Sequence, residues 1–366
     1  MEKGDGAEEA LFKQAAKAAL NVPSKKSLIK AGDILRTQTS GPEFEKALST
    51  LSDWRGLFAF PLNTFRAALR SECQNLKCRN AIVACRLKRT PSIIAKLRRF
   101  PEMQLGRMQD IGGLRVIVDS VEEVYKVWEG LQASRMKHEA IIPPHDYIKA
   151  PKPDGYRSLH QVYKCQSKDH PELCGIKVEI QIRTQLQHAW ATAVETLGVI
   201  ENESFKTGEG DGEYKRFFKL ASALISLHED CPVLEEYRNK SKDDLIEEFK
   251  SVEKKLGVFG KLTGVAIAAK HILSPNTECA DYQVMMLDPR AGTLSLTPFS
   301  KEQIRTAEKF YTFLEATEKD KLVVLVSVGN LKGLKKAYPN YFLDTQLFIE
   351  TLESIVNEAQ ESSGIP

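Results

Sequence analysis

Two acidic residues in the middle third of the sequence have the type and the setting that phosphate chemistry requires. Asp110 opens the apolar run "DIGGLRVIVDS", and Glu179 lies on the alternating segment "GIKVEIQIRT", where Gln181 and Arg183 share its face. Protein sites for Mg²⁺ use one or two carboxylates together with phosphate oxygens of the substrate. We therefore predict that Asp110 and Glu179 hold Mg²⁺ in a site for the transfer of phosphate groups. The alternative for each is a salt-bridged surface acid, which is the commoner role of a lone Asp or Glu.

Positive charge is concentrated on the N-terminal side of these acids. Eleven Lys or Arg lie in residues 62–107 against two Glu, which leaves an excess of nine positive charges. Such an excess suits a polyanionic ligand, either nucleotide phosphates or a nucleic acid, although a charged run is equally often a solvated helix face. The sequence has no Gly-x-x-x-x-Gly-Lys and no Gly-x-Gly-x-x-Gly motif. We therefore expect side chains, among them Arg86, Lys88 and Lys96, to bind the phosphates.

A stiff, basic loop with an aromatic residue near its end lies between the two acids. In "DYIKAPKPDGYRSLHQVY", two prolines and a glycine surround Lys149 and Lys152 and lead to Tyr156, Arg157 and His160. A tyrosine ring held on a rigid loop offers a face on which a nucleobase can stack. The alternative is that Tyr156 is a turn residue that packs on its own loop.

These motifs, in this order, resemble a known family. R-x-K…K, D-I-x-G-x-R, D-Y-I-x-x-P-K-P-x-G-Y-R-S-L-H and E-x-Q-I-R-T are similar to the RelA/SpoT-type alarmone synthetase domain over about residues 60–200. The resemblance implies a nucleotidyltransferase-like mixed β-sheet flanked by helices. It also implies an ATP-dependent pyrophosphokinase, which transfers the β,γ-pyrophosphate of ATP to a ribose 3′-hydroxyl.

The same resemblance implies a role for each candidate residue. Asp110 and Glu179 would bind Mg²⁺, and Glu179 would also accept the hydroxyl proton. Gln181 is expected in the catalytic group. The expected ATP contacts are Arg86, Lys88, Lys96 and Arg115, and the expected acceptor contacts are Lys149, Lys152, Tyr156, Arg157, His160 and Arg183.

Two features of the C-terminal half bear on the acceptor and on control. The segment "HAWATAVET" keeps Glu195 but has Thr196 where the synthetases usually place His, and the tail contains "YPNY" from Tyr338 to Tyr341. A tail of this kind resembles CapRel, a fused toxin–antitoxin. This implies transfer to the 3′ end of tRNA, inhibition in cis by the C-terminal domain through Tyr338 and Tyr341, and release by a phage structural protein.

Two other functions remain open at this point. One is (p)ppGpp synthesis with GDP or GTP as the acceptor, and the other is a catalytically inactive nucleotide sensor. We expect no hydrolase activity, because the "HED" at His228–Asp230 has no companion residues for a metal site.

The order of predicted elements indicates an α+β protein. We predict strands at "DIGGLRVIVDS", "RSLHQVYKC" and "GIKVEIQIRT", a helix capped by Ser120, and a helix at "QLQHAWATAVETLGVI". Two more helices are predicted near 214–230 and 234–256. The last third has the pattern of a hairpin, a helix, a strand and a closing helix, which is typical of a small α+β domain.

We therefore predict three segments: a synthetase domain at 1–205, a helical linker at 206–260 and a C-terminal regulatory domain at 261–366. The sequence has no apolar run of about 18 residues and no apolar signal segment at its start. Its seven cysteines are scattered and contain no C-x-x-C pair, which argues against a zinc site and a disulfide framework. A cytoplasmic location is expected.

Overall fold

The computed structural model describes residues 21–134, 138–200, 212–272, 280–288, 293–318, 321–327 and 341–362. The chain divides into two compact units. Unit 1 comprises Met1–Asp146 and Ser158–Thr184, and unit 2 comprises Tyr147–Arg157 and Gln185–Pro366. The loop that carries Tyr156 therefore belongs to a different unit from the strands on either side of it.

Unit 1 is built on a five-stranded mixed sheet. Its strands are β1 (Ile82–Leu87), β2 (Gly112–Val118), β3 (Glu139–Asp146), β4 (Leu159–Lys164) and β5 (Lys177–Thr184). They lie in the order β1-β2-β5-β4-β3. β2 and β5 are parallel and all other neighbours are antiparallel, so the predicted mixed sheet is confirmed.

The described part of unit 1 also contains five helices: α1 (Lys25–Thr37), α2 (Pro42–Gly56), α3 (Ala59–Asn75), α4 (Thr90–Arg99) and α5 (Val121–Ala133). α3 packs on β1 and β2, and α5 packs on β2 and β5. Leu62 and Phe65 of α3 and Val124 and Val127 of α5 are fully buried. The hydroxyl of Ser120 accepts a hydrogen bond from the Glu123 amide at 3.2 Å, which confirms the predicted N-cap of α5.

The sequence patterns did not predict β3. It contains Pro143 and Pro144, which cannot donate hydrogen bonds to a neighbouring strand. The structure accommodates them because β3 is the edge strand and its register with β4 shifts between Ile141 and His145.

Unit 2 is mainly helical. Its elements are α6 (Gln185–Ile200), α7 (Gly212–His228), α8 (Lys242–Leu256), α9 (Val258–Ile272), β6 (Tyr282–Asp288), β7 (Thr293–Phe299), α10 (Ile304–Thr317), β8 (Leu322–Ser327) and α11 (Tyr341–Ser362). The strands form an antiparallel sheet in the order β7-β6-β8. α8 begins at Lys242 and not near 234, because Ser241 and Asp244 form a capping box there.

One apolar core joins helices that are far apart in the sequence. Trp190 of α6, Phe217 of α7, Phe249 of α8 and Phe348 of α11 belong to the same buried cluster. The predicted boundaries at 205/206 and 260/261 therefore do not coincide with the division of the structure, since this core crosses both. The sheet of unit 2 and α10 have a separate small cluster that contains Val284. No helix in the described part of the chain is long and apolar enough to cross a membrane.

Candidate active site

Strand register brings the predicted catalytic residues Glu179 and Gln181 to one face of the sheet in unit 1. Gly113 lies opposite Glu179, and Arg115 and His160 both lie opposite Gln181 on neighbouring strands. Side chains alternate along a strand, so residues at paired positions share a face. The alternate positions of β2 and β5, which include Leu114, Val116, Val178 and Ile180, are buried and apolar. We call the first of these surfaces the polar face, and it consists of Arg86, Gly113, Arg115, His160, Glu179, Gln181 and Arg183.

Asp110 lies two residues before β2 and is held by two lysines. Its Oδ2 atom is 2.9 Å from Nζ of Lys88 and 2.9 Å from Nζ of Lys96 on α4. The Lys88 amide donates to the Ile111 carbonyl at 2.7 Å, which fixes Lys88 beside the acid. Burial opposes ionisation, but the two ammonium groups outweigh it and hold the pKa of Asp110 below its ordinary value. Asp110 is therefore ionised at neutral pH.

Glu179 is held by two neighbours on the polar face. Its Oε1 is 3.0 Å from Nδ1 of His160, and its Oε2 accepts a hydrogen bond from Nε2 of Gln181 at 2.8 Å. Burial again opposes ionisation, and the hydrogen bonds from His160 and Gln181 lower the pKa of Glu179 in spite of it. The predicted acceptor contact His160 and the predicted catalytic Gln181 are thus the two partners that orient this carboxylate.

Gly113 is required by the close approach of β2 to β5. A Cβ atom at this position would lie 2.9 Å from the carbonyl oxygen of Glu179, closer than side-chain atoms normally come to the backbone. The glycine therefore allows the parallel pairing that sets Glu179 beside the start of β2.

The two carboxylates have the chemistry that a Mg²⁺ ion needs. Oδ1 of Asp110 is buried and has no hydrogen-bond partner, so one oxygen of this ionised acid is available to a cation. The charge of Asp110 also opposes ionisation of Glu179, and a cation bound by both would relieve that repulsion. No group of three or more His, Cys, Asp or Glu that could hold a metal occurs in the described residues. Phosphate oxygens and water would supply the other ligands, as is usual for Mg²⁺.

The remaining predicted contacts of unit 1 differ in exposure. Arg86 on β1 is exposed and lies opposite Gly113, while Arg115 on β2 is half-buried. Arg183 is only 1% exposed at the end of β5, so its guanidinium is part of the interior.

The loop Tyr147–Arg157 in unit 2 presents two tyrosines and a lysine close together. Nζ of Lys152 lies 4.5 Å from the centroid of the Tyr147 ring and 4.9 Å from that of Tyr156. The two ring centroids are 6.2 Å apart, and that of Tyr156 is 6.5 Å from that of Trp190 on α6. Lys149, another predicted acceptor contact, is exposed. The loop therefore offers aromatic and cationic groups, which suit a nucleobase and its phosphates.

Packing from behind fixes the shape of this loop. Arg157 is 3% exposed; its Nε donates to Oγ of Ser222 at 3.2 Å and its Nη1 to the Ile148 carbonyl at 3.2 Å. The Ser222 hydroxyl donates in turn to the Gly155 carbonyl at 2.7 Å. Arg157 was predicted as an acceptor contact, and the structure places its guanidinium inside unit 2, where it holds the loop.

Two residues near these groups were not predicted. Arg55 on α2 donates from Nε to the Lys88 carbonyl at 3.1 Å and from Nη1 to the Thr90 hydroxyl at 3.3 Å, and so supports the segment that carries Lys88. A single arginine at a helix end gave no sequence signal for this contact. Tyr147 is the other one, and its signal was an aromatic residue at the start of the same stiff loop.

The residues that bear on the acceptor and on control are only partly described. Thr196 is buried on α6, and its hydroxyl donates to the Thr192 carbonyl at 2.8 Å. Tyr338 lies outside the described residues. Tyr341 is the first residue of α11, and its side chain lies outside what the structure describes.

Comparison with known proteins gives a match over the region that carries these motifs. Residues 85–199 match the family model described as a region found in RelA / SpoT proteins. The chain is 38% identical to GTP pyrophosphokinase YjbM of Bacillus subtilis over 119 residues, which are 31% of this chain and 54% of that protein. It is 36% identical to GTP pyrophosphokinase YwaC of the same species over 114 residues, 29% and 52% of the two chains. The chain thus spans about half the length of the curated relatives it matches.

Solved structures give matches of similar extent. Small alarmone synthetase 2 from Bacillus subtilis is 24% identical, and the match covers 49% of this chain and 94% of that one with a TM-score of 0.42. Small alarmone synthetase 1 from the same species, bound to its product pppGpp, is 26% identical, with coverage of 47% and 89% and a TM-score of 0.40.

Proposed function

Because residues 85–199 match the family model described as a region found in RelA / SpoT proteins, we propose that the protein is a pyrophosphokinase that transfers the β,γ-pyrophosphate of ATP to a ribose 3′-hydroxyl. The observation that carries this proposal is the pair of ionised carboxylates, Asp110 just before β2 and Glu179 on the polar face, with Lys88 and Lys96 at Asp110. Such a pair suits the binding of a nucleotide through Mg²⁺, and acids with shifted pKa values are concentrated at functional sites.

The reaction assigns a distinct task to each group. The ribose 3′-oxygen forms a bond to the β-phosphorus of ATP, the bond from that phosphorus to the oxygen shared with the α-phosphate breaks, and AMP leaves. Glu179, oriented by His160 and Gln181, accepts the proton of the 3′-hydroxyl. Asp110 and Glu179 would hold Mg²⁺, which when bound supplies positive charge to the phosphates.

The cations of unit 1 suit ATP. Lys88 and Lys96 meet at Asp110, so a phosphate that approaches this acid also approaches two ammonium groups. Arg86 and Arg115 lie on the polar face as further phosphate or base contacts. Positioning and charge neutralisation of this kind are the main contributions that a protein makes to phosphoryl transfer.

Two acceptors are supported by different observations. The relatives YjbM and YwaC are named GTP pyrophosphokinases, which favours GDP or GTP as the acceptor and (p)ppGpp as the product. The 3′ end of tRNA is favoured by the basic run at residues 62–107, where eight of the eleven Lys and Arg are exposed, since a nucleic acid would use such a surface. Thr196 in place of the usual His also favours a changed acceptor.

One experiment separates these acceptors. The protein is incubated with γ-³²P-ATP, Mg²⁺ and either GDP, GTP or tRNA, with Asp110→Ala as the inactive control. A labelled guanosine nucleotide supports alarmone synthesis, and labelled tRNA supports inhibition of translation. If none of the three is labelled by folded protein, the nucleotide-sensor alternative replaces the enzyme.

Control by the C-terminal region is part of the same proposal. We assign inhibition in cis to the residues after α9, with release by a partner such as a phage structural protein. α11 shares the core of α6, α7 and α8, whereas the sheet β6–β8 with α10 has a small core of its own and joins the large one through Met285 and Leu296. We propose that a partner displaces this sheet and α10. Expression of Tyr338→Ala or Tyr341→Ala should then be toxic, and adding Asp110→Ala should abolish the toxicity. Normal growth with a folded, active Tyr338→Ala variant would contradict this control.

A further inference from the structure

The ammonium group of Lys152 is held by aromatic rings. It lies 4.5 Å from the Tyr147 centroid and 4.9 Å from the Tyr156 centroid, both within the distance at which a cation is attracted to the face of a ring. Among the described residues, no carboxylate is within ion-pair distance of this ammonium. The two rings are therefore its electrostatic partners, and we call these three side chains the two-ring seat.

The seat conflicts with the proposed use of Tyr156. A base that stacks on a tyrosine needs the face of the ring, and an ammonium above that face occupies the same space. Another neighbour of the ring is Trp190, which is 5% exposed and packed in the core of unit 2, with its ring centroid 6.5 Å from that of Tyr156. A ligand therefore cannot take the space that Trp190 fills.

We propose that Lys152 is a built-in occupant of the base site, and that its ammonium leaves the Tyr156 ring and keeps its contact with the Tyr147 ring when a base stacks on Tyr156. This inference rests on the proposed function, because it concerns the acceptor of that reaction, a nucleoside that carries phosphates. The ammonium stays on the Tyr147 ring, which keeps it in the loop and close to the ligand. It then pairs with a phosphate of the acceptor.

We call this displacement of the ammonium by a base the exchange, and it makes the loop select for phosphorylated nucleosides. A nucleoside without phosphate must displace the ammonium and receives nothing in return, whereas a nucleotide displaces it and gains an ion pair. Tyr147 acts through Lys152 and is therefore a positioning residue. In the alternative to the exchange, the ammonium of Lys152 stays over the Tyr156 ring, and the base binds beside it and is stabilised by it.

Binding of two probes without ATP tests the exchange. Guanosine and GDP are titrated into the full-length protein and into Lys152→Met by calorimetry. Since a cation on an exposed ring contributes about 0.5–1 kcal/mol, Lys152→Met should bind guanosine about two- to fivefold more tightly than the unchanged protein. The same variant should lose most of the preference for GDP over guanosine.

Lys254→Met is the control for the loss of one surface charge. Lys254 is exposed on α8 of the same unit and belongs neither to the loop nor to the polar face, so its loss should leave guanosine affinity unchanged. The titration is repeated with adenosine, the nucleoside at the 3′ end of tRNA, to compare the affinities of the loop for the two bases.

Tyr147 is tested by a double-mutant cycle. Tyr147→Ala should weaken guanosine binding about two- to fivefold, because the ammonium then has only the Tyr156 ring. The same change in the Lys152→Met background should have no further effect, and Tyr147→Phe should restore normal binding because the ring and not the hydroxyl holds the cation. A purely structural role for Tyr147 predicts equal losses in both backgrounds.

The remaining outcomes contradict either the exchange or the proposed function. Equal or weaker guanosine binding by Lys152→Met overturns the exchange, and so does an effect of Tyr147→Ala that persists without Lys152. If neither guanosine nor GDP binds to any variant, the loop has no base site and the exchange is also overturned. If the affinities change as expected but no acceptor is labelled from ATP, the proposed function fails and the exchange stands.

Discussion

In unit 1, the carboxylates Asp110 and Glu179 are each held by charged or polar side chains, whereas the loop of unit 2 is held by packing against buried residues. Asp110 and Glu179 each have two polar partners that lower their pKa. The loop depends on Gly155, Arg157 and Ser222, which would not themselves contact a ligand. The difference shows that one region is specialised for charge and the other for shape. Changes in the first should affect the reaction, and changes in the second should affect folding and affinity.

The largest effect is expected on the charged side of this comparison. Asp110→Asn or Glu179→Gln should reduce transfer from ATP by about 10²–10⁴-fold, the range typical for loss of electrostatic or acid–base catalysis. Both replacements keep shape and polarity, so the folded structure should persist. Glu129→Gln, which changes an exposed acid of α5 in the same unit, is the matched control.

Transfer assays with saturating ATP and Mg²⁺ measure this effect, and thermal unfolding confirms that each variant is folded. Activity within threefold of the Glu129→Gln protein would remove the changed residue from the reaction.

A second change tests the packing that holds the loop of unit 2. Gly155 has a φ of +94°, and a Cβ there would lie 2.9 Å from Cβ of Ser222. Gly175 has a φ of +85° and no atom within 4 Å of a Cβ at its position, so Gly175→Ala measures the cost of backbone strain without crowding. Both Gly→Ala changes incur strain of about 1–3 kcal/mol, and Gly155→Ala adds roughly 1–3 kcal/mol for crowding. Urea unfolding should therefore show a larger loss for Gly155→Ala, and equal losses would contradict the tight packing.

A third change tests the aromatic surface that this packing presents. Tyr156→Ala should weaken acceptor binding by about 1–3 kcal/mol, the usual contribution of one stacked base, while Tyr156→Phe should have little effect. Calorimetry with GDP or with a short RNA that ends in the acceptor nucleoside measures both. Equal damage by Phe and Ala would mean that the hydroxyl binds the ligand and that stacking is not the mode of recognition.

The smallest expected effect is a change in how the free energy of unfolding depends on pH. Burial raises the pKa of Glu253 on α8 to about 7, against the hydrogen bonds that its carboxylate accepts from the amides of Val258 and Phe259 at 3.0 Å. Between about pH 4.5 and 7 the folded protein keeps a proton on Glu253 that the unfolded chain releases. The free energy of unfolding therefore falls as pH rises through this range. Glu253→Gln should remove this dependence of the free energy of unfolding on pH, because glutamine does not titrate.

Unit 1 should respond to pH in the opposite direction. The lowered pKa values of Asp110 and Glu179 provide stability above their unfolded pKa values, and this stability is lost as pH falls through the folded ones. Hydrogen exchange of the two units at pH 4 and pH 7 would measure both trends. If the stability of unit 2 changed with pH in the same way in Glu253→Gln and in the unchanged protein, Glu253 would not titrate as described.

Local patterns in the sequence were sufficient for much of the fold and for the polar face. β2, β4, β5 and α6 are confirmed because alternation and helical spacing are properties of short segments. The polar face follows from the alternation in "KVEIQIRT" together with its register. The partners of Asp110 could not be assigned in the same way, since Lys88 and Lys96 reach it through tertiary packing.

The parts that were missed depend on distant residues. The edge position that permits prolines in β3 is set by pairing with β4, and no local pattern records it. The burial of Arg157 depends on Ser222, which is 65 residues away in the sequence. The domain boundaries failed to match the units for the same reason, because Phe348 completes a core begun at Trp190.

The position of α11 has a consequence for the order in which the protein folds during synthesis. The sheet of unit 1 is complete once β5 has been made, so its strands can pair while the rest of the chain is still being translated. The apolar surfaces of α6, α7 and α8 are covered by Phe348, Leu352 and Ile355, which are made much later. Unit 2 therefore exposes these surfaces throughout most of its own translation. We expect a nascent chain stalled before α11 to be prone to aggregation through these surfaces.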